Sequence, residues 1–270
     1  MFTYAVWEEI CRDISQKYKT ITINQVLNNL DEKRWIVIKH DVETSPLKAL
    51  DLAKIENLYG IKATYFVQAD LVEDNHKILQ EIASLGHEVT YHYDVLDANG
   101  GDYKKATFEF QNNLELFKKY GFEVATVCPH GNPLMIRDNW SSNKDFFRKD
   151  EIRNLFSDIL DVVVELPTKI DYTYISDAGY GFKKIVNIHN NDIKNDGDIS
   201  LKDYKKLLEV FSCEDRVVFS THPHRWEKNG FKFLLNVYIF KVLKYIAKNL
   251  SKISLFKKII SRYYYLAKKI

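Results

Sequence analysis

Four carboxylates and four imidazoles fall at the ends of apolar runs in this chain. Asp41 and Glu43 close "RWIVIKHDVE", His92 and Asp94 close "HEVTYHYD", and His130 closes "EVATVCPH". Asp177 follows "YTYIS", and His222 and His224 follow "RVVFST". Burying such groups is costly unless they are paired or bind a metal. Strand side chains alternate, so Asp41 and Glu43 share a face roughly 6–7 Å apart. A metal beside one carboxylate would leave the other free to take a proton. His40, next to Asp41, points to the opposite side, where a structural hydrogen bond is expected. Imidazole and carboxylate suit a divalent ion of borderline softness with an open position for water. A carboxylate on one side and an imidazole on the other supply the base and acid of acyl transfer to water.

For these groups to meet, the runs that carry them must be parallel strands. β-rich runs at 34–43, 62–68, 87–93, 123–131, 161–166, 172–176, 183–189 and 216–226 alternate with helical patterns, as βα units do. Ser45 and Pro46 start a helix that Gly60 ends, in keeping with cap preferences. Leu47, Leu50, Leu52, Ile55 and Leu58 are its expected apolar side. Further helices are expected over 74–85 and 102–120, the second placing Ala106, Phe110, Leu114 and Phe117 on one face. Seven or eight parallel strands would close into a barrel, with the polar stretch 132–160 over one end. Every group named above would then share the rim at the strands' C-terminal ends, where such barrels hold their chemistry.

The 270 residues suffice for a substantial core. Three scattered cysteines, Cys11, Cys128 and Cys213, suit a reduced compartment and exclude a disulfide framework or a cysteine-based zinc site. The N-terminus meets Glu8 and Glu9 before any basic residue, unlike a signal peptide. No run is long and apolar enough to span a bilayer, and a cytoplasmic location is expected. The net charge of +2 conceals an asymmetry. From Gly230 onward there are ten Lys and Arg and no acid, against 29 basic and 37 acidic residues before it. Residues 1–229 are therefore read as the barrel with an N-terminal helical segment, and 230–270 as a basic amphipathic helical extension. Leu235, Ile239, Val242, Ile246 and Leu250 mark one side of that extension, with Lys241, Lys244, Lys248 and Lys252 across it. It fits an anionic membrane surface, at the inner face, or packing on the barrel. No nucleic-acid-binding motif is present, and no nucleic acid partner is expected.

In their order, "KHDVE", "GIKATYFV", "GHEVTYHY", "VCPHGNP" and "STHPHRW" resemble the successive motifs of the polysaccharide deacetylases, carbohydrate esterase family four. The resemblance spans about residues 34–226 and is nearest to divergent members associated with surface-polysaccharide synthesis. It implies a distorted (β/α)7 barrel that removes N- or O-acetyl groups from sugars with a divalent metal, most often zinc. It implies Asp41 as base, Glu43 and His92 as metal ligands, and His222 as the acid that protonates the leaving group. Asp177 falls where a carboxylate orients that acid, and Gly131 in the Pro129–His130–Gly131 turn where a backbone N–H holds the oxyanion.

The chain departs from the pattern twice. Leu96 stands where a second metal histidine is usual, four residues after His92. A third ligand must then come from elsewhere, His130 first and Asp94 second. No arginine lies near Cys128–Pro129 to orient the base. Asp94, Tyr93, Gly131, His224 and Trp226 are the expected substrate contacts, with Tyr91, Tyr174 and Tyr180 as further aromatic candidates for sugar rings. The substrate is expected to be a carbohydrate, in one version lipid-linked, for O-antigen or capsule. An inactive carbohydrate-binding or assembly protein of the same fold is the alternative. His189 is expected to be a hydrogen-bonded or surface residue.

Overall fold

The computed structural model describes residues 1–29, 32–132, 135–186, 188 and 197–250. The side chains of 244 and 247–250 are excepted, and His189 and 251–270 lie outside the described residues. Ten strands run in chain order: β1 (Lys19–Thr20), β2 (Trp35–Val42), β3 (Ala63–Val67), β4 (Glu88–Tyr93), β5 (Thr126–Pro129), β6 (Leu160–Asp161), β7 (Thr173–Ser176), β8 (Phe182–Ile185), β9 (Ile199–Leu201) and β10 (Arg216–Thr221). Their spatial order is β6-β5-β4-β3-β2-β10-β7-β8-β9, with β1 paired to the start of β2. The seven from β6 to β7 are parallel, whereas β8 and β9 continue the sheet antiparallel. The fold is thus a mixed α/β one of the distorted (β/α)7 barrel type.

Two expectations about the strands are corrected. The run 183–189 is not a barrel strand, because β8 turns back on β7. Of 161–166 only Asp161 is in a strand, and the chain soon enters the short helix Leu166–Lys169.

Alternation along the parallel strands builds two apolar layers. Trp35, Val37, Phe66, Cys128, Tyr174 and Val218 form the inner one. Ile36, Ile38, Tyr65, Val67, Tyr91 and Phe219 belong to the outer one, under the helices. Each fully buried side chain of this size is worth roughly 1.5–3 kcal/mol. The N-terminal helix Tyr4–Lys17 adds Trp7, Ile10, Cys11 and Ile14 to the outer layer.

The helix Pro46–Leu58 buries Ala49, Leu50, Leu52, Ala53 and Glu56. Leu47 and Leu58 are exposed, contrary to expectation. The reason is polar: Glu56 is wholly buried and bonds the Nε2 of His40 on β2 at 2.8 Å. His40 also meets Thr221 Oγ1 at 2.6 Å and stacks on Tyr65, whose hydroxyl donates to Glu56. This satisfied network turns the Glu56 face inward and makes His40 a structural residue. The helix Tyr103–Lys119 follows its pattern, burying Ala106, Phe110 and Phe117, with Asp102 capping Lys105 N. Within 132–160, Phe146 and Phe147 reach the core, so this stretch is partly core rather than a purely polar cover.

Candidate metal centre and acid–base pair

Register decides which groups meet. Asp41 on β2 lies opposite Phe66, His92 on β4 opposite Cys128, and Thr221 at the end of β10 opposite His40. The strands therefore finish level, and the residues just beyond them share one rim. Glu43, His92 and His130 place one ligating atom each within 4.8 Å of one another. Glu43 Oε1 is 3.3 Å from His130 Nε2 and 3.8 Å from His92 Nε2. Ligands at about 2.0–2.2 Å from a tetrahedral zinc stand roughly 3.3 Å apart, so this spacing fits an ion between them.

The tautomer of His92 fits as well. Its Nδ1 lies 3.0 Å from the carbonyl of Cys128, which only accepts, so Nδ1 carries the proton. Nε2 is then a lone pair aimed at Glu43, buried and without a hydrogen-bond partner. A backbone carbonyl fixing the far nitrogen is the usual support of a ligating histidine. Burial keeps His92 below the usual imidazole range, which preserves that lone pair. Burial would raise the Glu43 carboxyl, but His130 holds it well below its ordinary value.

A second grouping, Asp41, His92 and Cys128, is also close enough for a metal. Two features weigh against it. Burial pushes the Cys128 thiol well up, and both oxygens of Asp41 are already occupied.

Their occupant is Lys39, which sequence reasoning did not single out. Its Nζ donates to Asp41 Oδ1 at 2.6 Å and Oδ2 at 2.7 Å, and lies 5.4 Å from the Phe66 ring centroid. Lys39 is only 1% exposed. Burial opposes charge on both partners, yet Lys39 holds Asp41 below its usual range, and Asp41 holds Lys39 well above. No arginine lies near Cys128, and the cation at Asp41 is a lysine two residues before it on the same strand.

On the far side, His222 Nε2 is 3.9 Å from Asp41 Oδ2. Its Nδ1 lies 2.6 Å from Asp177 Oδ1, which fixes Nδ1 as the donor when that carboxylate is ionised. Asp177 is fully buried and also accepts from His222 N, Arg225 and the Trp226 indole. Burial would raise its carboxyl, but His222 and Arg225 bring it down to about 2.

The other expected contacts divide. His224 turns a buried, partnerless Nδ1 into the same region, and burial, aided by Arg225, lowers its imidazole to about 3. Gly131 is exposed beyond His130, with open space where a Cβ would be. Asp94 is not among the ligand atoms around Glu43, and its charge acts on Tyr91 and Glu109.

Tyr93 and Trp226 are corrections. Tyr93 is wholly buried, donates to Asp161 and packs on Phe110, because it is the outward neighbour of inward His92. Trp226 is wholly buried between Phe2 and Trp7, so its role is to hold Asp177 rather than a sugar. Tyr91 is likewise fully buried.

Leu96 sits in the outer layer, fully buried. Beside it, Asp97 binds Arg137 through two bonds of 2.7 and 2.6 Å, the Trp140 indole, and Asn143. Asn143 in turn donates to the carbonyl of His130 at 2.8 Å. This pinned segment positions His130, a role the sequence signalled only by its polar, turn-rich composition.

No family model and no curated protein matches the chain. Solved structures similar to it include a Streptococcus mutans CE4 esterase, at 13% identity and TM-score 0.46, covering 83% of this chain and 88% of that one. Another is a family 4 carbohydrate esterase from Streptomyces lividans in complex with acetate, at 13% identity and TM-score 0.45, covering 78% and 89%. A third is the catalytic domain of a peptidoglycan N-acetylglucosamine deacetylase from Eubacterium rectale, at 16% identity and TM-score 0.44, covering 79% and 84%. In the order of its motifs this chain resembles a divergent polysaccharide deacetylase of carbohydrate esterase family 4.

Proposed function

We propose that the chain is a metal-dependent hydrolase that removes an acetyl group from an N- or O-acetylated sugar. One observation supports this most. Asp41 and His222 stand beside the Glu43–His92–His130 cluster, each with its own buried counter-charge, Lys39 and Asp177. Glu43, His92 and His130 would hold a divalent ion, with zinc the first choice for this donor set. When bound, that ion supplies polarisation of the acyl oxygen and a more acidic water.

The chain's own residues account for the proton movements. Asp41, kept ionised by Lys39, takes the proton of the attacking water. His222 Nε2, oriented through Nδ1 by Asp177, gives a proton to the departing nitrogen or oxygen as the acyl bond breaks. The backbone beyond His130 lies at the rim, where donors to the developing oxyanion are needed.

Within this reading, the substrate is a precursor of O-antigen or capsule, lipid-linked and met at the inner membrane face by a cytoplasmic enzyme. A second reading has one observation behind it. Lys39 occupies both oxygens of Asp41 and weakens it as a base, which suits a carbohydrate-binding protein that has lost hydrolysis. Metal analysis followed by acetate release from N- and O-acetylated sugars separates the two. Stoichiometric metal with acetate release supports the enzyme; sugar binding with no acetate at any metal loading rejects it.

A further inference from the structure

The last described helix, Gly230–Leu250, has two apolar faces. One meets the body: Phe233 is 7% exposed, Val237 packs against the core, and Phe240 and Phe233 contact Tyr180. At 100° per residue these three lie within a narrow arc. About 140° around the helix from that arc, Phe231, Leu234, Leu235, Tyr238, Val242 and Tyr245 form a stripe about 100° wide. All are exposed, Phe231 by 79% and Tyr238 by 68%. Lys232 and Lys241 flank the stripe on its two sides and are exposed. Lys232 also reaches Glu227 at 3.6 Å.

We propose that this stripe docks on the headgroup–acyl boundary of an anionic lipid bilayer. Charge decides among the candidates. Two copies joined stripe to stripe would bring their flanking lysines together, with no acid between Gly230 and Ile270 to pair them. Folding 251–270 back over the stripe would add six more cations to the same place. An anionic surface meets both features, since apolar groups enter the boundary while flanking lysines reach the phosphates. No helix among the described residues is long and apolar enough to cross a membrane, so the helix lies on the surface. Tyr180, against which it packs, is three residues from Asp177, so docking would hold the rim close to the lipid. The proposal is independent of the hydrolase reading.

The test is cosedimentation of the full chain with vesicles of phosphatidylcholine alone or with about one-third phosphatidylglycerol. Binding is expected only to the anionic vesicles and is expected to weaken with salt. The double variant Tyr238→Glu/Val242→Glu, altered only on the outward stripe, should lose binding at least about tenfold, with an unchanged far-ultraviolet circular dichroism spectrum. Equal binding of variant and wild type overturns the proposal, as does no binding of the wild type. So does a wild-type dimer, seen by light scattering, that the variant dissolves without any vesicle binding. Acetate release from a soluble sugar is a separate readout, and its loss or presence does not bear on docking.

Discussion

Lys39 and Asp41, two residues apart on one strand, neutralise each other inside the barrel through paired contacts of 2.6 and 2.7 Å. Removing one partner leaves an uncompensated buried charge, which typically costs about 3–5 kcal/mol. Lys39→Met is expected to lower unfolding stability by about that amount and to depress turnover. In the double variant Lys39→Met/Asp41→Asn most of the stability should return, because no charge is left stranded. Denaturant unfolding of wild type, Lys39→Met, Asp41→Asn and the double variant measures this directly. A Lys39→Met protein as stable as wild type would mean that the pair is not buried.

The ligand set makes a different pattern of losses. Glu43→Gln, His92→Ala and His130→Ala should each reduce bound divalent metal by at least about tenfold, a lower bound drawn from the effect of altering even supporting residues. Asp41→Asn should keep the metal but lose about 10²–10⁴ in turnover, the range for a general base. Cys128→Ser and Tyr93→Phe should keep both metal and the ligand geometry. Metal content of Cys128→Ser falling with that of His92→Ala would instead favour the grouping of Asp41, His92 and Cys128.

Leu96 accounts for why restoring the usual histidine is not a simple gain. It is fully buried in the short helix Val95–Ala98 and belongs to the large apolar cluster that also holds Tyr93 and Phe110. Leu96→His should therefore cost about 2–4 kcal/mol by placing an imidazole in an apolar site, with no rise in metal affinity. Calorimetric metal titration of the variant showing tighter binding would contradict this placement.

Much of the rim was legible because two simple rules acted together. Period-two alternation put Asp41 and Glu43 on one face, and parallel βα units put the strand ends on one side. The same alternation turns Tyr93 outward when His92 points in, which residue type alone concealed. Trp226 was misread for a related reason, since an aromatic near a rim does not reveal whether its neighbours are solvent or Phe2 and Trp7. Lys39 was readable in principle as a lone cation on the inward face of an apolar strand. Strand direction was not readable: β8 and β9 return antiparallel through tertiary pairing that leaves no mark on periodicity. Leu47 and Leu58 were expected in the core because apolar counting ignores a buried carboxylate such as Glu56, which has His40 and Tyr65 to bind.

Asp177 gives the site a signature in acid. Its carboxyl is held down to about 2 from an ordinary value of 3.8, because His222 and Arg225 outweigh the opposing effect of burial. A carboxyl lowered in the folded state stabilises the fold above its unfolded value and loses that contribution as pH falls through the folded value. For this group the loss falls between about pH 4 and pH 2 and amounts to about 2 kcal/mol. Asp177→Asn should be less stable than wild type at pH 6, and the difference should shrink steadily across that acid window. Urea unfolding at several pH values between 6 and 2 reads the difference, in which other carboxylates common to both proteins cancel. A gap that stayed constant as pH fell would show that Asp177 is not ionised against His222 and Arg225, and His222 would then lack the partner that orients it.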